Sequence, residues 1–333
     1  MNSQSGAAIA FHDFQPEQDD FLCDVLSGLG KMQKEIPAKY FYDERGSVLF
    51  DRISELEEYY PTRTEIGLLE RHRAEMAEII GRDCLLIEYG SGSSRKISIL
   101  LNALQDPFAY MPIDICKEYL LQSSNRIAAC QPGLEVVAVC ADYMQLTVFP
   151  QSDKYQGGGS GRYQNTKKVI FFPGSTIGNC TPMEAIRLLK NALKLVGQGG
   201  GMLIGVDLKK DSAILHAAYN DEFGITAEFN LNMLTRINRE LDADFCLDNF
   251  HHHAFYNEQC GRIEMHLVSL QEQTVRVSDV PVYFRADESI HTENSYKYST
   301  EEFQGMAEAA GFKAERVWKD EQDLFSLHYL SAL

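Results

Sequence analysis

Between Cys84 and Leu208 the chain alternates short apolar runs with amphipathic ones, and few folds accept that pattern. CLLIEYG (84–90), AYMPIDI (109–115), LEVVAVCADY (134–143), KKVIFFPGS (167–175) and GMLIGVDL (201–208) have the length and β-branched or aromatic content of strands. SSRKISILLNAL (93–104), KEYLLQSSNRIAAC (117–130) and TPMEAIRLLKNALKLV (181–196) have helical period, as does the stretch from Glu65 to Ile80 before them. Strands that are apolar on both faces need helices above and below, so the expected class is α/β with a Rossmann-like, doubly wound sheet. After Asp207 the alternation stops. Residues 210–250 read as helical and 252–297 as antiparallel strands. It returns at Ser299, where Ser299 and Glu302 form a capping-box pair and Gly311 is the helix stop. A final pair of strands ends the chain. The expected division is a nucleotide-binding unit (64–209 plus 298–333) and an α+β substrate-binding unit (1–63 plus 210–297).

Composition narrows the function. A net charge of −17 over 333 residues, with no Lys/Arg cluster, argues against a nucleic-acid partner. No apolar run is long enough to span a membrane, and the first residues lack a signal-peptide pattern. The eight cysteines form no CxxC pair, which points to free thiols in the cytoplasm rather than a zinc site or a disulfide framework. His251 and His253 share a strand face but lack a companion ligand, so no metal is expected. The Gly/Ser-rich stretch 151–166 reads as a surface excursion between two strands. The expected partner is a small molecule and the expected assembly a monomer.

Three strand ends carry the first chemistry. Glu88-Tyr-Gly90-Ser-Gly92-Ser-Ser94 follows a strand and opens a helix. Glycines there let a ligand approach the backbone, and the run resembles motif I of class I methyltransferases, which implies that Glu88 receives an amino group directly or through water. Asp114 ends the next strand, where an acid can accept from two ribose hydroxyls. Asp142-Tyr143 ends the third, placed for an adenine amine and ring. The series favours S-adenosylmethionine over a nicotinamide dinucleotide, although a dinucleotide site shares the first two features. Phe172-Pro-Gly174-Ser-Thr176-Ile-Gly178-Asn179 ends the fourth strand and lacks the Asn/Asp-Pro-Pro-aromatic signature of adenine methylation.

Taken together, KYFYDERGSVLFDRISELEEYYPTRTE, IEYGSGSSRKI, FFPGSTIGN, the AAYND to ADF series, RIEMHL and TENS resemble the histidine Nα-methyltransferases of ergothioneine biosynthesis. The similarity runs from about residue 36 to the C-terminus, with 151–166 as the main departure. The resemblance implies cofactor contacts from Gly90, Gly92, Lys96, Asp114, Asp142 and Tyr143, with Tyr42 near the methyl-transfer centre. It implies that Asn179 and Tyr219 hold a substrate carboxylate and that the Gly174 carbonyl orients the α-amine. Tyr59, Glu293 and Ser295 would read an imidazole, with Met265 packed on the ring. The implied product is Nα,Nα,Nα-trimethylhistidine (hercynine), formed by three transfers. Asn294 stands where the family usually has an apolar residue, and alternation points it away from the ring. Methylation of another amino acid or small amine, and a non-catalytic cofactor-binding regulator, are the competing readings.

Overall fold

Strand-forming runs with no polar face are stable only when both faces are covered, and the architecture supplies both covers. A computed structural model describes residues 9–14, 19–146, 148–149, 163 and 166–333, so the expected 151–166 excursion lies almost wholly outside the described residues. In chain order the first elements are β1 (Ala10–Asp13), α1 (Asp19–Leu29), β2 (Lys34–Glu35), α2 (Glu44–Glu55), α3 (Tyr60–Ile80), β3 (Leu85–Tyr89), α4 (Arg95–Ala103), β4 (Ala109–Asp114), α5 (Lys117–Cys130), β5 (Val137–Cys140), β6 (Lys168–Phe172), α6 (Pro182–Val196) and β7 (Gly201–Asp207). Then come α7 (Ser212–Tyr219), α8 (Ile225–Glu240), β8 (Phe250–Asn257), β9 (Arg262–Ser269), β10 (Gln273–Val277), β11 (Val280–Phe284), β12 (Ser289–Tyr296), α9 (Thr300–Ala310), β13 (Phe312–Lys319) and β14 (Phe325–Ala332).

The large sheet runs β1-β5-β4-β3-β6-β7-β14-β13. It is parallel from β1 to β7, and β14 enters antiparallel between β7 and β13. Leu85, Ile87 and Tyr89 face α6 and α9, packing with Leu188, Leu189 and Phe303. Leu86 faces the opposite way with Phe171, Leu203 and Leu327, against Leu68 and Leu69 of α3 and Leu100 of α4. This is the Rossmann-like α/β class expected from the alternation. α9 is bounded as its sequence signals require. Ser299 and Glu302 cap it reciprocally, and Gly311 ends it in the left-handed region at φ 101°.

One expectation needs correction. Residues 10–13 fall in the stretch 1–63 assigned to the second unit, yet β1 extends the large sheet by pairing in parallel with β5. The reason is an exposed sheet edge: β1 satisfies its backbone groups, while Ile9 and Phe11 cover Leu120, Ala138 and Cys140.

The second unit centres on the sheet β2-β12-β9-β8, with β10-β11 as a separate hairpin. Its core joins Phe41, Leu49 and Ile53 to Phe229, Met233 and Ile237 of α8, and to Leu267 and Ile290 of the small sheet. Among the described residues no helix is long and apolar enough to cross a membrane.

Candidate active site

Strand order dictates where a ligand can sit. β3, β4 and β5 step one way across the sheet and β6 and β7 step the other, so the chain reverses between β3 and β6. Loops leaving adjacent strand ends in opposite directions open a crevice there. The Gly90 turn leaves β3 into it and the Gly174 turn leaves β6.

Gly90 has φ 75°, and a built Cβ would meet nothing within 4 Å. Glycine is needed there for backbone conformation rather than for room. Asp114 at the end of β4 accepts from the Cys116 N–H at 2.8 Å, and burial pushes its carboxyl up to about 6. It therefore starts the α5 turn, at a strand end next to the Gly90 turn. Asp142 accepts from the Met144 N–H at 2.8 Å. Tyr143 stacks on Tyr89 at 5.2 Å and meets Phe172 edge-on. Glu88 is 3% exposed. One of its oxygens already accepts from the Tyr110 hydroxyl, and burial lifts its carboxyl to about 8. Its other oxygen has no partner among the hydrogen bonds of the described residues that involve Glu88. Glycine turn, Asp114 and Asp142 on successive strand ends fit the nucleoside and amino-acid ends of S-adenosylmethionine.

Beyond the Gly174 turn lies a partly enclosed cavity. Tyr42, Tyr59, Gly174, Asn179, Tyr219, Glu293 and Ser295 all line it. These seven sequence-selected residues come from five separate regions of the chain. Met265 does not line it. It is 2% exposed, opposite Glu293 in the β9-β12 pairing, within the second core. A bulge explains how β12 delivers its side chains. The register shifts between His291 and Glu293, and Thr292 at the break is anchored to Asn230 and to the Met265 carbonyl. Glu293 and Ser295 then share the cavity face. Asn294 points away, with its Oδ1 buried and unpartnered among the described residues.

The aromatic wall is continuous. Phe50 meets Tyr42 and Tyr59 edge-on, and Tyr59 meets Tyr219. Burial, reinforced by the Glu293 charge and neighbouring phenols, raises Tyr42, Tyr59 and Tyr219 well above the ordinary tyrosine value. They stay neutral, so Tyr42 can orient an amine or pass a proton but does not serve as a standing phenolate base. Burial also lifts Glu293 to about 7, opposed by the charge of Lys297.

Two charged clusters in this region escape a sequence reading. Glu65 of α3 is fully buried, pairs with Lys96 at 2.6 Å, and accepts the Gly174 N–H at 3.0 and 2.9 Å. A Cβ on Gly205 would lie 2.2 Å from its Oε1, so glycine at 205 makes room for it. Asp207 at the end of β7 accepts from Lys297 at 2.9 Å, Lys210 at 2.5 Å and the Tyr60 hydroxyl at 2.7 Å. Burial alone would raise Asp207, but its two lysines outweigh it and hold it below the usual carboxylate range. The signal for Glu65 was a glutamate in the first turns of an otherwise buried helix face. Asp207 had none beyond its place at a strand end.

Away from the cavity, His251 and His253 are exposed on β8. Glu264, His266 and His291 bring potential ligand atoms within 4.8 Å. Glu264 is already held by Arg262 and Asn257, and the two imidazoles stack in parallel at 4.7 Å. Parallel ring planes do not converge their lone pairs on one point.

Residues 21–332 match the family described as histidine-specific methyltransferase, SAM-dependent. The chain belongs to that family. A protein of Mycobacterium tuberculosis named histidine N-alpha-methyltransferase is 41% identical over 310 residues, covering 91% of this chain and 92% of the relative. Ergothioneine biosynthesis protein 1 of Neurospora crassa is 32% identical over 308 residues, covering 90% of this chain but 33% of that longer protein. An L-tryptophan methyltransferase of Psilocybe serbica is 26% identical over 339 residues, covering 92% of both. Family membership makes this chain an S-adenosylmethionine-dependent methyltransferase, and the crevice beside the Gly90 turn is where its residues suit that cofactor.

Proposed function

We propose that this histidine-specific methyltransferase acts on the α-amine of L-histidine and transfers three methyl groups in succession, giving Nα,Nα,Nα-trimethylhistidine. The observation that carries the reading is one cavity, next to the Gly174 turn, that combines a carboxylate, hydroxyls and a ring of neutral aromatics. Glu293 accepts the imidazole N–H, and Ser295 with Tyr59 serves the other ring nitrogen. The Asn179 amide donates to the substrate carboxylate, and Tyr219, whose one hydrogen goes to Ser295 at 2.8 Å, borders it without donating. Met265, paired directly opposite Glu293 on β9, packs beside it on the same sheet face. In the cofactor crevice Gly90 and Gly92 admit the ligand to the backbone, while Lys96, Glu88, Asp114, Asp142 and Tyr143 hold its ends.

S-adenosylmethionine, when bound, supplies an electrophilic methyl on a sulfonium. The chain's contribution is placement: the Gly174 carbonyl and the Tyr42 hydroxyl orient the amine, and the aromatic wall excludes water. A free α-amine is largely protonated at neutral pH. The amine therefore gives its extra proton to solvent water on entering the site, and Tyr42, held neutral by burial, accepts a hydrogen bond from an N–H that remains. As methyls accumulate the amine becomes a fixed cation with no N–H. Four aromatic faces favour such a group through cation–π attraction worth ~1–2 kcal/mol.

A panel of amino acids incubated with S-adenosylmethionine tests the reading. Histidine should be turned over fastest, with mass spectrometry showing one, two and then three added methyls. Equal or faster turnover of tryptophan would move this chain's specificity to that of its more distant relatives. Accumulation of a mono- or dimethyl product would remove the third transfer.

A further inference from the structure

Lys297 lies just past the end of β12 with its side chain fully buried. An ammonium has three hydrogens to donate and no lone pair to accept. All three are committed: to Asp207 at 2.9 Å, to the Ser295 hydroxyl at 2.7 Å and to the Tyr219 hydroxyl at 3.1 Å. The two hydroxyls are themselves bonded at 2.8 Å, with Tyr219 donating to Ser295. Between them they own two hydrogens. One is used in their mutual bond, and the other cannot go to Lys297. Because Tyr219 is the donor in that bond, the remaining hydrogen is that of Ser295, and it is left for whatever occupies the cavity that both residues line.

We infer that Lys297 is a positioning residue, which fixes Ser295 as a hydrogen-bond donor toward the substrate ring. The inference rests on the histidine reading above and deepens it. Glu293 shares the cavity face of β12 and offers an acceptor, so the wall presents one acceptor and one obligatory donor. A neutral imidazole, with one N–H and one bare nitrogen, satisfies both. A ring with an N–H but no second nitrogen leaves the Ser295 hydrogen unpaired in a buried site. Without Lys297 the Ser295 and Tyr219 hydroxyls are free to exchange donor and acceptor roles, and the wall loses its fixed donor. Asp207 does not stand alone in that case, because Lys210 and Tyr60 still hold it.

The test is calorimetric, on the full chain saturated with S-adenosylhomocysteine. The probes are histidine, the pyrrol-2-yl and pyrrol-3-yl alanines, which keep an N–H and lose the bare nitrogen, and thiazolylalanine, which keeps a bare nitrogen and loses the N–H. In Lys297→Met the preference for histidine over both pyrrolylalanines should shrink by about tenfold, the scale of one buried unpaired polar group. The preference over thiazolylalanine, which Glu293 sets, should stay. Ser295→Ala should shrink the same pyrrole preference, and adding Lys297→Met to it should change nothing more, because one residue acts through the other. An unchanged pyrrole preference in Lys297→Met, or additive effects of the two substitutions, would overturn the inference. Should Lys297→Met fail to bind S-adenosylhomocysteine, the pair Lys297→Met with Asp207→Asn reads the same ratios without the buried acid. Failure of the unmodified protein to bind histidine is a different result, which defeats the substrate reading itself.

Discussion

On the cofactor side, each proposed contact lies within a few residues of the strand that carries it: Gly90 after β3, Asp114 at the end of β4, Asp142 after β5. Across the cavity, the contacts come from before α2, from before α3, from the turns after β6, from α7 and from β12. The first side is held by turns at neighbouring strand ends and by short-range bonds, Asp114 to the Cys116 N–H and Asp142 to the Met144 N–H. The second exists only when distant segments pack, and it is held by buried ions, Asp207 with two lysines and Glu65 with one. Local motifs tolerate loss of a neighbour. Assembled sites with buried charge do not, because a partner removed leaves an uncompensated ion.

Glu65 joins the two sides, since it grips Lys96 beside the Gly90 helix and the Gly174 N–H beside the substrate cavity. Glu65→Ala is therefore the strongest way to break the comparison. It strands a largely buried lysine and should cost about 3–5 kcal/mol in denaturant unfolding, with methyl transfer lost. A cost below ~1 kcal/mol would mean that the sides are joined elsewhere.

The next pair of substitutions should separate the sides. Glu293→Ala removes a charge-assisted hydrogen bond to the imidazole, worth ~1.5–3 kcal/mol, so the histidine Kd should rise about 10- to 100-fold. S-adenosylhomocysteine affinity should hold. Asp114→Ala should do the reverse. Equal losses for both ligands in either variant would show one coupled site.

This division also governs what the sequence could disclose. The eight-stranded sheet was legible apart from β1, because apolar strands between amphipathic helices leave one solution. β1 stayed hidden because four residues with mixed polarity, AFHD, carry no strand signal of their own. Of the proposed cofactor residues, Glu88, Gly90, Asp114, Asp142 and Tyr143 were legible from position at strand ends, while Lys96 and Tyr42 came only from the resemblance. Tyr59 or Glu293, read alone, is an ordinary half-buried aromatic or a surface acid, and only the resemblance selected them. Glu65, Asp207 and Lys297 were missed altogether, since a charge buried by tertiary packing leaves no mark in periodicity.

A pH titration sharpens the substrate side further. Burial holds Glu293 near 7 in the ligand-free protein, so below that value it is mostly protonated. The imidazole N–H needs the ionised form, and the ring must shed its own proton near ~6.5 to be neutral. Histidine affinity should thus fall as pH drops through about 7. Binding at pH 6 should release protons, seen as a binding enthalpy that depends on the buffer. In Glu293→Gln the release should shrink to the share contributed by the ring.

The smallest effect belongs to Asn294, which sits between two proposed substrate readers and yet faces the other way. Its Oδ1 is buried with no partner among the described residues. Asn294→Leu removes that unpaired acceptor and should raise stability by about 1 kcal/mol, the usual cost of burying a polar group unpaired. The histidine Kd should move less than about twofold, which is within ~0.4 kcal/mol. If affinity or the histidine-to-tryptophan turnover ratio shifts more than that, the alternation of β12 past its bulge does not insulate the substrate face from its back. Specificity would then be set through the whole strand, and not by the residues that line the cavity alone.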